Sequence, residues 1–257
     1  MSILQSISIR KQEGRKQLAV LIDPDKTDDI RLKQIAMLAA DNKVDYFFVG
    51  GSLLVNNGLD SCIKTIKDLS GIPVVLFPGN TLQMSYRADA ILFLSLISGR
   101  NPEMLIGRHV VAAPYLKLSN IEVMGTGYML IESGKPTAVS YMSNSSPIPA
   151  DKDDIAMCTA MAGEMLGLKL IFMDAGSGAI HPVSASMIKH VSQSIDIPLM
   201  VGGGISTPEL AQRSAMAGAD VIVVGNIIEK DPAVIAEIAS ALRDIRATGE
   251  NQPDVEL

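Results

Sequence analysis

The chain has no tryptophan, few aromatic residues (4%) and no excess of positive charge. It has 22 lysines and arginines and 28 acidic residues, which gives a net charge of −6. A nucleic-acid-binding protein gathers basic residues on one surface to meet phosphate charge, so we do not expect this class. A small anionic substrate remains compatible with the composition, because helix N-termini can bind an anion locally.

Cysteine and histidine are scarce too. Cys62 and Cys158 form no CxxC pair, so we predict neither a disulfide framework nor a zinc site. We expect both to be buried thiols in a protein of the reducing cytoplasm. His109, His181 and His190 lack the spacing of metal ligands, and we expect them on the surface or in helix packing.

Long hydrophobic runs are also missing. The longest, Ile91–Ile97, is too short to cross a bilayer, and residues 1–17 are too charged for the apolar core of a signal peptide. We therefore expect a globular protein in the cytoplasm. Its length suits a single domain over 1–257, with a core from about 18 to 247.

Short β-branched or aromatic runs recur along the chain, and most are followed by a helical pattern. The near-continuous hydrophobicity of these runs is typical of parallel strands that are covered on both faces. We predict eight strands, in the segments Leu18–Asp23, Tyr46–Gly50, Pro73–Phe77, Ala90–Leu96, within Ile121–Ile131, Lys169–Asp174, Pro198–Val201 and Asp220–Val224. Helix starts are predicted at Thr207-Pro208, Asp231-Pro232 and Asp151–Asp154.

Eight strand-then-helix units in this length predict an α/β fold of the (β/α)8 TIM-barrel type. The third covering helix is expected to be shortened or missing, because only Thr81–Arg87 precedes the fourth strand. Residues 134–150 are rich in Pro, Ser and Asn and predict an exposed loop after the fifth strand. A doubly wound open sheet is the alternative, although its glycine fingerprint is replaced after the first strand by Asp23-Pro24-Asp25-Lys26.

Glycine follows the last three predicted strands, in Asp174-Ala175-Gly176-Ser177-Gly178, Gly202-Gly203-Gly204 and Gly225-Asn226. Glycine turns let backbone N–H groups approach an anion closely, and barrels commonly bind phosphate after strands seven and eight. The three turns together predict a phosphate site. Each glycine taken alone is equally compatible with a tight turn.

Oxygen ligands follow the first two strands. Asp23 and Ser52 are predicted at the same rim, where Mg²⁺ could take one carboxylate and complete its shell with water and substrate phosphate. Asp23 could instead cap the next helix, although Asp25 is the better candidate for that. Asp174 is a candidate general base beside the phosphate, or else an acceptor for the glycine turn that follows it.

The motifs together resemble geranylgeranylglyceryl phosphate synthases, and most closely the second group of that family. They are Leu21-Ile22-Asp23-Pro24-Asp25-Lys26, Val49-Gly50-Gly51-Ser52, Leu76-Phe77-Pro78-Gly79, Phe93–Pro102, Thr126-Gly127-Tyr128, Asp174–Ala179, Val201–Ile205 and Val223–Asn226. The resemblance runs from about Leu18 to Asp231. It implies a Mg²⁺-dependent TIM-barrel prenyltransferase that joins sn-glycerol 1-phosphate to geranylgeranyl diphosphate in ether phospholipid synthesis.

The resemblance also implies the site residues. Asp23 and Ser52 match metal ligands, and in the implied mechanism Asp174 accepts the hydroxyl proton. The implied glycerol phosphate contacts are Phe172, Met173, Asp174, Ala175, Gly176, Ser177, Gly178, Gly203, Gly204, Gly225 and Asn226. Phe172 stands where the family commonly has Tyr, and Ala179–Pro182 replaces a Lys-Asn-Pro segment, so we expect phosphate binding to rest more on backbone donors.

Several alternatives stay open. A heptaprenylglyceryl phosphate synthase would run the same chemistry with a longer donor. A phosphate-binding barrel of histidine, tryptophan or thiamin biosynthesis would share the glycine turns, and a non-enzymatic scaffold is the remaining class. The resemblance further implies a homo-oligomer, dimer or hexamer, and peripheral membrane contact is plausible for a lipid product.

Overall fold

Eight parallel strands close into a barrel in the order in which they occur in the chain, which confirms the predicted (β/α)8 fold. The computed structural model describes residues 1–249, with side chains up to residue 245. The predicted domain's last residues, 250–257, lie outside this range. The strands are β1 (Gln17–Ile22), β2 (Tyr46–Val49), β3 (Val74–Leu76), β4 (Ala90–Leu96), β5 (Glu122–Leu130), β6 (Leu170–Asp174), β7 (Leu199–Gly202) and β8 (Val221–Val224).

Helices pack around the barrel and at its ends. They are α1 (Ile3–Gln12), α2 (Asp29–Asp41), α3 (Leu59–Ser70), α4 (Arg108–Lys117, preceded by a π-helical turn at Glu103–Gly107), α5 (Ala138–Ser143), α6 (Asp153–Met165), α7 (Ala185–Ser192), α8 (Pro208–Met216), α9 (Asn226–Lys230) and α10 (Val234–Gly249). The three predicted helix starts are confirmed, to within a few residues, in α8, α10 and α6. As expected, β3 and β4 are joined without a helix.

The segment after β5 is largely exposed, as predicted, but it is not a loop throughout. It contains α5, which begins at a capping box in which the Thr137 side chain accepts from the backbone N–H of Ser140 and the Ser140 hydroxyl accepts from that of Thr137. Thr137 and Ser143 are buried. The Pro, Ser and Asn content therefore reflects a short capped helix packed on the barrel end.

The hydrophobic core has two layers, because successive side chains of a strand point to opposite faces. Residues such as Phe48, Leu92 and Phe172 fill the barrel interior, and their neighbours Phe47, Ile91 and Met173 pack beneath the helices. No helix between residues 1 and 249 combines the length and apolarity needed to cross a membrane.

Helix α1 is an element that the sequence analysis does not anticipate. Its Ile7 is fully buried with the barrel-interior cluster, and its first turn is held by Glu122, whose carboxylate accepts from the backbone N–H groups of Ile3 (2.6 Å) and Leu4 (3.0 Å). These contacts, at the start of β5, place α1 at the amino end of the barrel. The carboxyl end of the barrel, where the predicted site residues lie, is not covered by α1.

The scarce residues behave mostly as expected. His181 and His190 are exposed. His109, in α4, packs edge-on against Phe93 of β4, with ring centroids 4.4 Å apart. Cys62 is buried, and burial raises the pKa of its thiol to about 12. Cys158 is exposed on α6, which corrects the prediction that both thiols are buried.

Candidate functional site

A cavity of about 590 Å³ opens where the strands end, at the carboxyl side of the barrel. It is lined by most of the residues that the sequence singled out, from the ends of β1, β2, β6, β7 and β8. Those lining residues are Asp23, Ser52, Phe172, Asp174, Gly176, Ser177, Gly178, Gly203, Gly204, Gly225 and Asn226. The sheet order brings these ends together because parallel strands finish on one rim.

The glycine turns present backbone donors that the protein does not use. Within the described chain, the N–H groups of Ser177, Gly178, Gly203, Gly204 and Asn226 donate to no protein acceptor. Five such donors around one cavity match the requirements of an anion such as a phosphate group. The turns are also tied to each other, because the Ser177 hydroxyl donates to the Asn226 side chain at 3.0 Å.

Gly203 shows why glycine is required in this arrangement. Its φ of +80° lies in the left-handed region, and a Cβ there would lie 2.6 Å from both the Asp174 carboxylate and the Gly176 nitrogen. Any side chain would collide with the carboxylate and with the turn that it holds. The glycine therefore lets β7 approach the end of β6.

Asp174 is a buried carboxylate held by two donors. The Tyr128 hydroxyl donates to its Oδ2 at 2.6 Å and the Gly176 N–H donates to its Oδ1 at 2.7 Å. Burial raises the pKa of Asp174, and the two hydrogen bonds offset part of that rise. A carboxylate with a raised pKa is a stronger base. The acceptor role for the glycine turn is thus present and leaves the base role possible.

Phe172 lies next to Asp174 on the barrel interior and stacks on Phe77, with ring centroids 5.3 Å apart. Met173 and Ala175 are fully buried in the core beneath the helices, outside the cavity lining. The implied glycerol phosphate contacts at these two positions stay a prediction. Strand alternation sends Phe172 and Asp174 inward and their neighbours outward.

Asp23 and Ser52 both line the cavity, as expected for adjacent strand ends. The Asp23 carboxylate lies beside Gly51, where a Cβ would be 3.2 Å from its Oδ2. Lys26 forms an ion pair with that oxygen at 2.8 Å. Among the described residues, no cluster of three or more His, Cys, Asp or Glu could hold a metal. The donor set suits only an ion such as Mg²⁺, which keeps water and phosphate oxygens in its shell.

Asp25 does not cap helix α2, which corrects the sequence interpretation. Asp28 is the N-cap, with its carboxylate accepting from the Arg31 N–H at 2.8 Å. The Asp25 carboxylate accepts from the backbone N–H groups of Val55 (2.5 Å) and Asn56 (3.3 Å). Asp25 therefore holds the loop after β2 in place.

An apolar groove adjoins the cavity beside the gap that the missing third helix leaves. It runs between β4, the β3–β4 connection and α4, and its walls include Met84, Phe93, Leu94, Met104, His109, Ala112 and Leu116. Burial lowers the pKa of His109, which favours its neutral form within this wall. The groove and the cavity share Gly51, Ser52, Phe77 and Val139. The two spaces therefore meet at the end of β2.

Three residues of the site are missed by the sequence analysis as site candidates. Tyr128 stands in one of the motifs without an assigned role, yet its hydroxyl donates to Asp174. Glu229 accepts from the Asp23 N–H at 3.2 Å, and burial raises its pKa. Lys135 lines the cavity from the segment between β5 and α5. No local signal marks these three, because each comes into the site from a different part of the chain.

The protein is therefore a (β/α)8 barrel with a cavity at its carboxyl end. The cavity suits an anionic substrate and continues into an apolar groove. The chain belongs to the PcrB family, whose model matches residues 9–242.

Curated relatives support this membership. A geranylgeranylglyceryl phosphate synthase of Chitinophaga pinensis is 56% identical over 240 residues, 93% of this chain and 95% of the relative. One from Spirosoma linguale is 52% identical over 234 residues, 91% of this chain and 94% of the relative. A solved (S)-3-O-geranylgeranylglyceryl phosphate synthase of Thermoplasma acidophilum, in complex with its substrate sn-glycerol-1-phosphate, is 33% identical with a TM-score of 0.90. The match covers 95% of this chain and 99% of the Thermoplasma chain.

Proposed function

We propose that this protein is a prenyltransferase that joins sn-glycerol 1-phosphate to geranylgeranyl diphosphate through an ether bond and releases diphosphate. The observation that carries the proposal is the meeting of two unlike spaces at Ser52 and Phe77. A cavity rich in free N–H donors suits a phosphorylated acceptor, and an apolar groove suits an isoprenoid chain. Their junction is where the glycerol hydroxyl oxygen and the allylic carbon of the donor would meet.

The acceptor side rests on the glycine turns and Asp174. Backbone N–H groups of Ser177, Gly178, Gly203 and Gly204 hold the phosphate, which directs the glycerol hydroxyl towards the junction. The hydroxyl oxygen attacks the allylic carbon, the carbon–oxygen bond to diphosphate breaks with its electron pair leaving on diphosphate, and Asp174 takes the hydroxyl proton. Tyr128 keeps the carboxylate in place through its 2.6 Å hydrogen bond.

The metal is part of the proposal. Asp23 and Ser52 would hold Mg²⁺ at the rim, where it would neutralise charge on the departing diphosphate. Lys26 already balances the Asp23 charge, and it also lines the cavity. A diphosphate in that place therefore meets a cation supplied by the chain itself.

The donor length is proposed as twenty carbons. The relatives named for the geranylgeranyl donor support it, and the apolar walls of the groove suit any prenyl chain. A thirty-five-carbon donor is the competing specificity, since both would use the same junction. The phosphate-binding barrels of histidine, tryptophan and thiamin biosynthesis are disfavoured, because the relatives of 52–56% identity carry the synthase name.

Diphosphate release tests the reaction. The protein is incubated with Mg²⁺ and geranylgeranyl diphosphate, with and without sn-glycerol 1-phosphate, and diphosphate is measured over time. We expect release that requires both substrates and stops with EDTA. Release without the acceptor would indicate a hydrolase, and no release in any combination would contradict the proposal.

We further propose a homo-oligomer. Helix α4 and the turn before it leave Ile106, Val110, Val111 and Tyr115 58–65% exposed, an apolar face that a second copy would cover. Light scattering after size exclusion is expected to give a dimer or hexamer mass, and a monomer would contradict this.

If this apolar face of α4 is uncovered in a monomer, flotation with phospholipid vesicles tests the peripheral membrane contact instead. The cytoplasmic location stays a prediction.

A further inference from the structure

A lysine outside all the sequence motifs reaches the phosphate-type turn. The Nζ atom of Lys135 lies 3.8 Å from the point where a Cβ of Gly178 would be, and the Asn226 side-chain nitrogen lies at the same distance from that point. Both residues line the cavity. The ammonium group therefore sits directly over the turn whose Ser177 and Gly178 N–H groups are unused.

The segment that carries Lys135 is docked on the glycine turn at both sides of the lysine. Before it, the backbone carbonyl of buried Ser133 accepts from the N–H groups of Ile180 (3.2 Å) and His181 (3.3 Å). After it, the buried Thr137 side chain packs over Gly176, where a Cβ would be 2.8 Å from the Thr137 methyl group. These two contacts fix the position of the short stretch between them, which includes Pro136.

The charge of Lys135 has no partner among the residues that the structure describes. Within the described residues, none of the ion pairs involves Lys135, whose Nζ is more than 4.0 Å from every carboxylate. Lys26, in the same cavity, is paired with Asp23 at 2.8 Å. An uncompensated ammonium at a cluster of unused N–H donors attracts an anion strongly, because both kinds of donor favour the charged ligand.

We propose that Lys135 is the cationic residue that binds the phosphate group of the glycerol phosphate acceptor. The inference rests on the proposed function, and it replaces the expectation that phosphate binding relies mainly on backbone donors. The lysine belongs to the β5–α5 segment, while the turns it completes follow β6, β7 and β8. Besides Lys26 after β1, the site thus has a second cation from the segment after β5.

Calorimetric titration with sn-glycerol 1-phosphate, in the absence of donor and Mg²⁺, tests the proposal. Lys135→Gln is expected to weaken binding by about tenfold or more, because a hydrogen bond to a charged group is lost. Lys135→Arg keeps the charge and is expected to stay within about threefold of wild type. Lys33→Gln, on the outer face of α2, is the matched control and should bind as wild type does.

The readouts separate this inference from the proposed function. If wild-type protein does not bind sn-glycerol 1-phosphate, the proposed function fails. If wild type binds and Lys135→Gln binds equally well, only the role of Lys135 fails. Steady-state kinetics supply the second readout, in which Lys135→Gln raises KM for the acceptor about tenfold with kcat nearly unchanged. A fall in kcat with unchanged KM would overturn the assignment.

Discussion

The hydrogen bond from Tyr128 to Asp174 sets the pH range in which the proposed base works. The donor is buried, and burial together with the nearby carboxylate raises the Tyr128 pKa well above its ordinary value, so the hydroxyl keeps its proton. The protonated hydroxyl donates to Asp174 at 2.6 Å and so stabilises the ionised form of the carboxylate. Tyr128→Phe removes this donor, and we expect the pKa of Asp174 to rise further.

The size of the shift follows from the strength of the bond. A hydrogen bond to a charged group is worth about 1.5–3 kcal/mol, and one pKa unit corresponds to about 1.4 kcal/mol. The acidic limb of the kcat profile should therefore move upward by about 1–2 pH units. The remaining donor, the Gly176 N–H at 2.7 Å, keeps the carboxylate in place. Turnover well above the new limb is expected to stay close to wild type.

The assay measures kcat for wild type and Tyr128→Phe at saturating substrates from pH 5 to pH 9. Tyr141→Phe is the matched control, since the same hydroxyl is removed from a side chain that is 85% exposed. Its profile should overlay that of wild type. Circular dichroism at each pH confirms that the variants remain folded over the range.

Two results would refute the reasoning. An acidic limb that does not move in a folded Tyr128→Phe protein would mean that Asp174 is not the group whose ionisation limits turnover. An equal loss of kcat at every pH would assign Tyr128 to holding the geometry of the site rather than to setting the charge of Asp174.

Three further predictions concern the cavity. Asp174→Asn should lower kcat by about 10²-fold or more while binding of sn-glycerol 1-phosphate is kept. The pKa of this carboxyl is raised in the folded protein, so wild type loses stability as pH rises through that pKa. The Tm of Asp174→Asn relative to that of wild type should therefore increase over the same pH interval. Asp23→Asn should raise the Mg²⁺ concentration for half-maximal turnover about tenfold or more, whereas Asp25→Asn should leave it unchanged, because Asp25 holds a loop; equal effects would contradict the assignment. Gly203→Ala should abolish acceptor binding in calorimetry, while Gly71→Ala, with a similar positive φ and open space around it, should cost only stability.

Much of the fold is readable from local patterns. Most strands are short runs buried on both faces, so their hydrophobicity identifies them independently of their neighbours. The ends of β1 and of β6 to β8 also carry their chemistry within a few residues of the strand, so Asp23, Asp174 and the glycine turns are identifiable from sequence.

The remaining features depend on contacts between distant segments. Tyr128 and Asp174 lie 46 residues apart and meet because β5 pairs with β6. Lys135 reaches Gly178 only through the docking of Ser133 and Thr137 on the glycine turn. Helix α1 contributes Ile7 to the barrel-interior core, and its mixed polar and apolar sequence does not predict that contact. Met173 and Ala175 belong to a functional motif in sequence yet face the core, because strand alternation decides their direction.

The central claim is that the two spaces meeting at Ser52 and Phe77 join a phosphorylated acceptor to a prenyl chain. The most direct test incubates the protein with Mg²⁺, radiolabelled sn-glycerol 1-phosphate and prenyl diphosphates of ten to thirty-five carbons, and measures label extracted into organic solvent. The account predicts labelled product that survives alkaline hydrolysis, as an ether does, with highest turnover for the twenty-carbon donor. Highest turnover with the thirty-five-carbon donor would contradict the donor assignment, and no organic-soluble label with any donor would contradict the account itself.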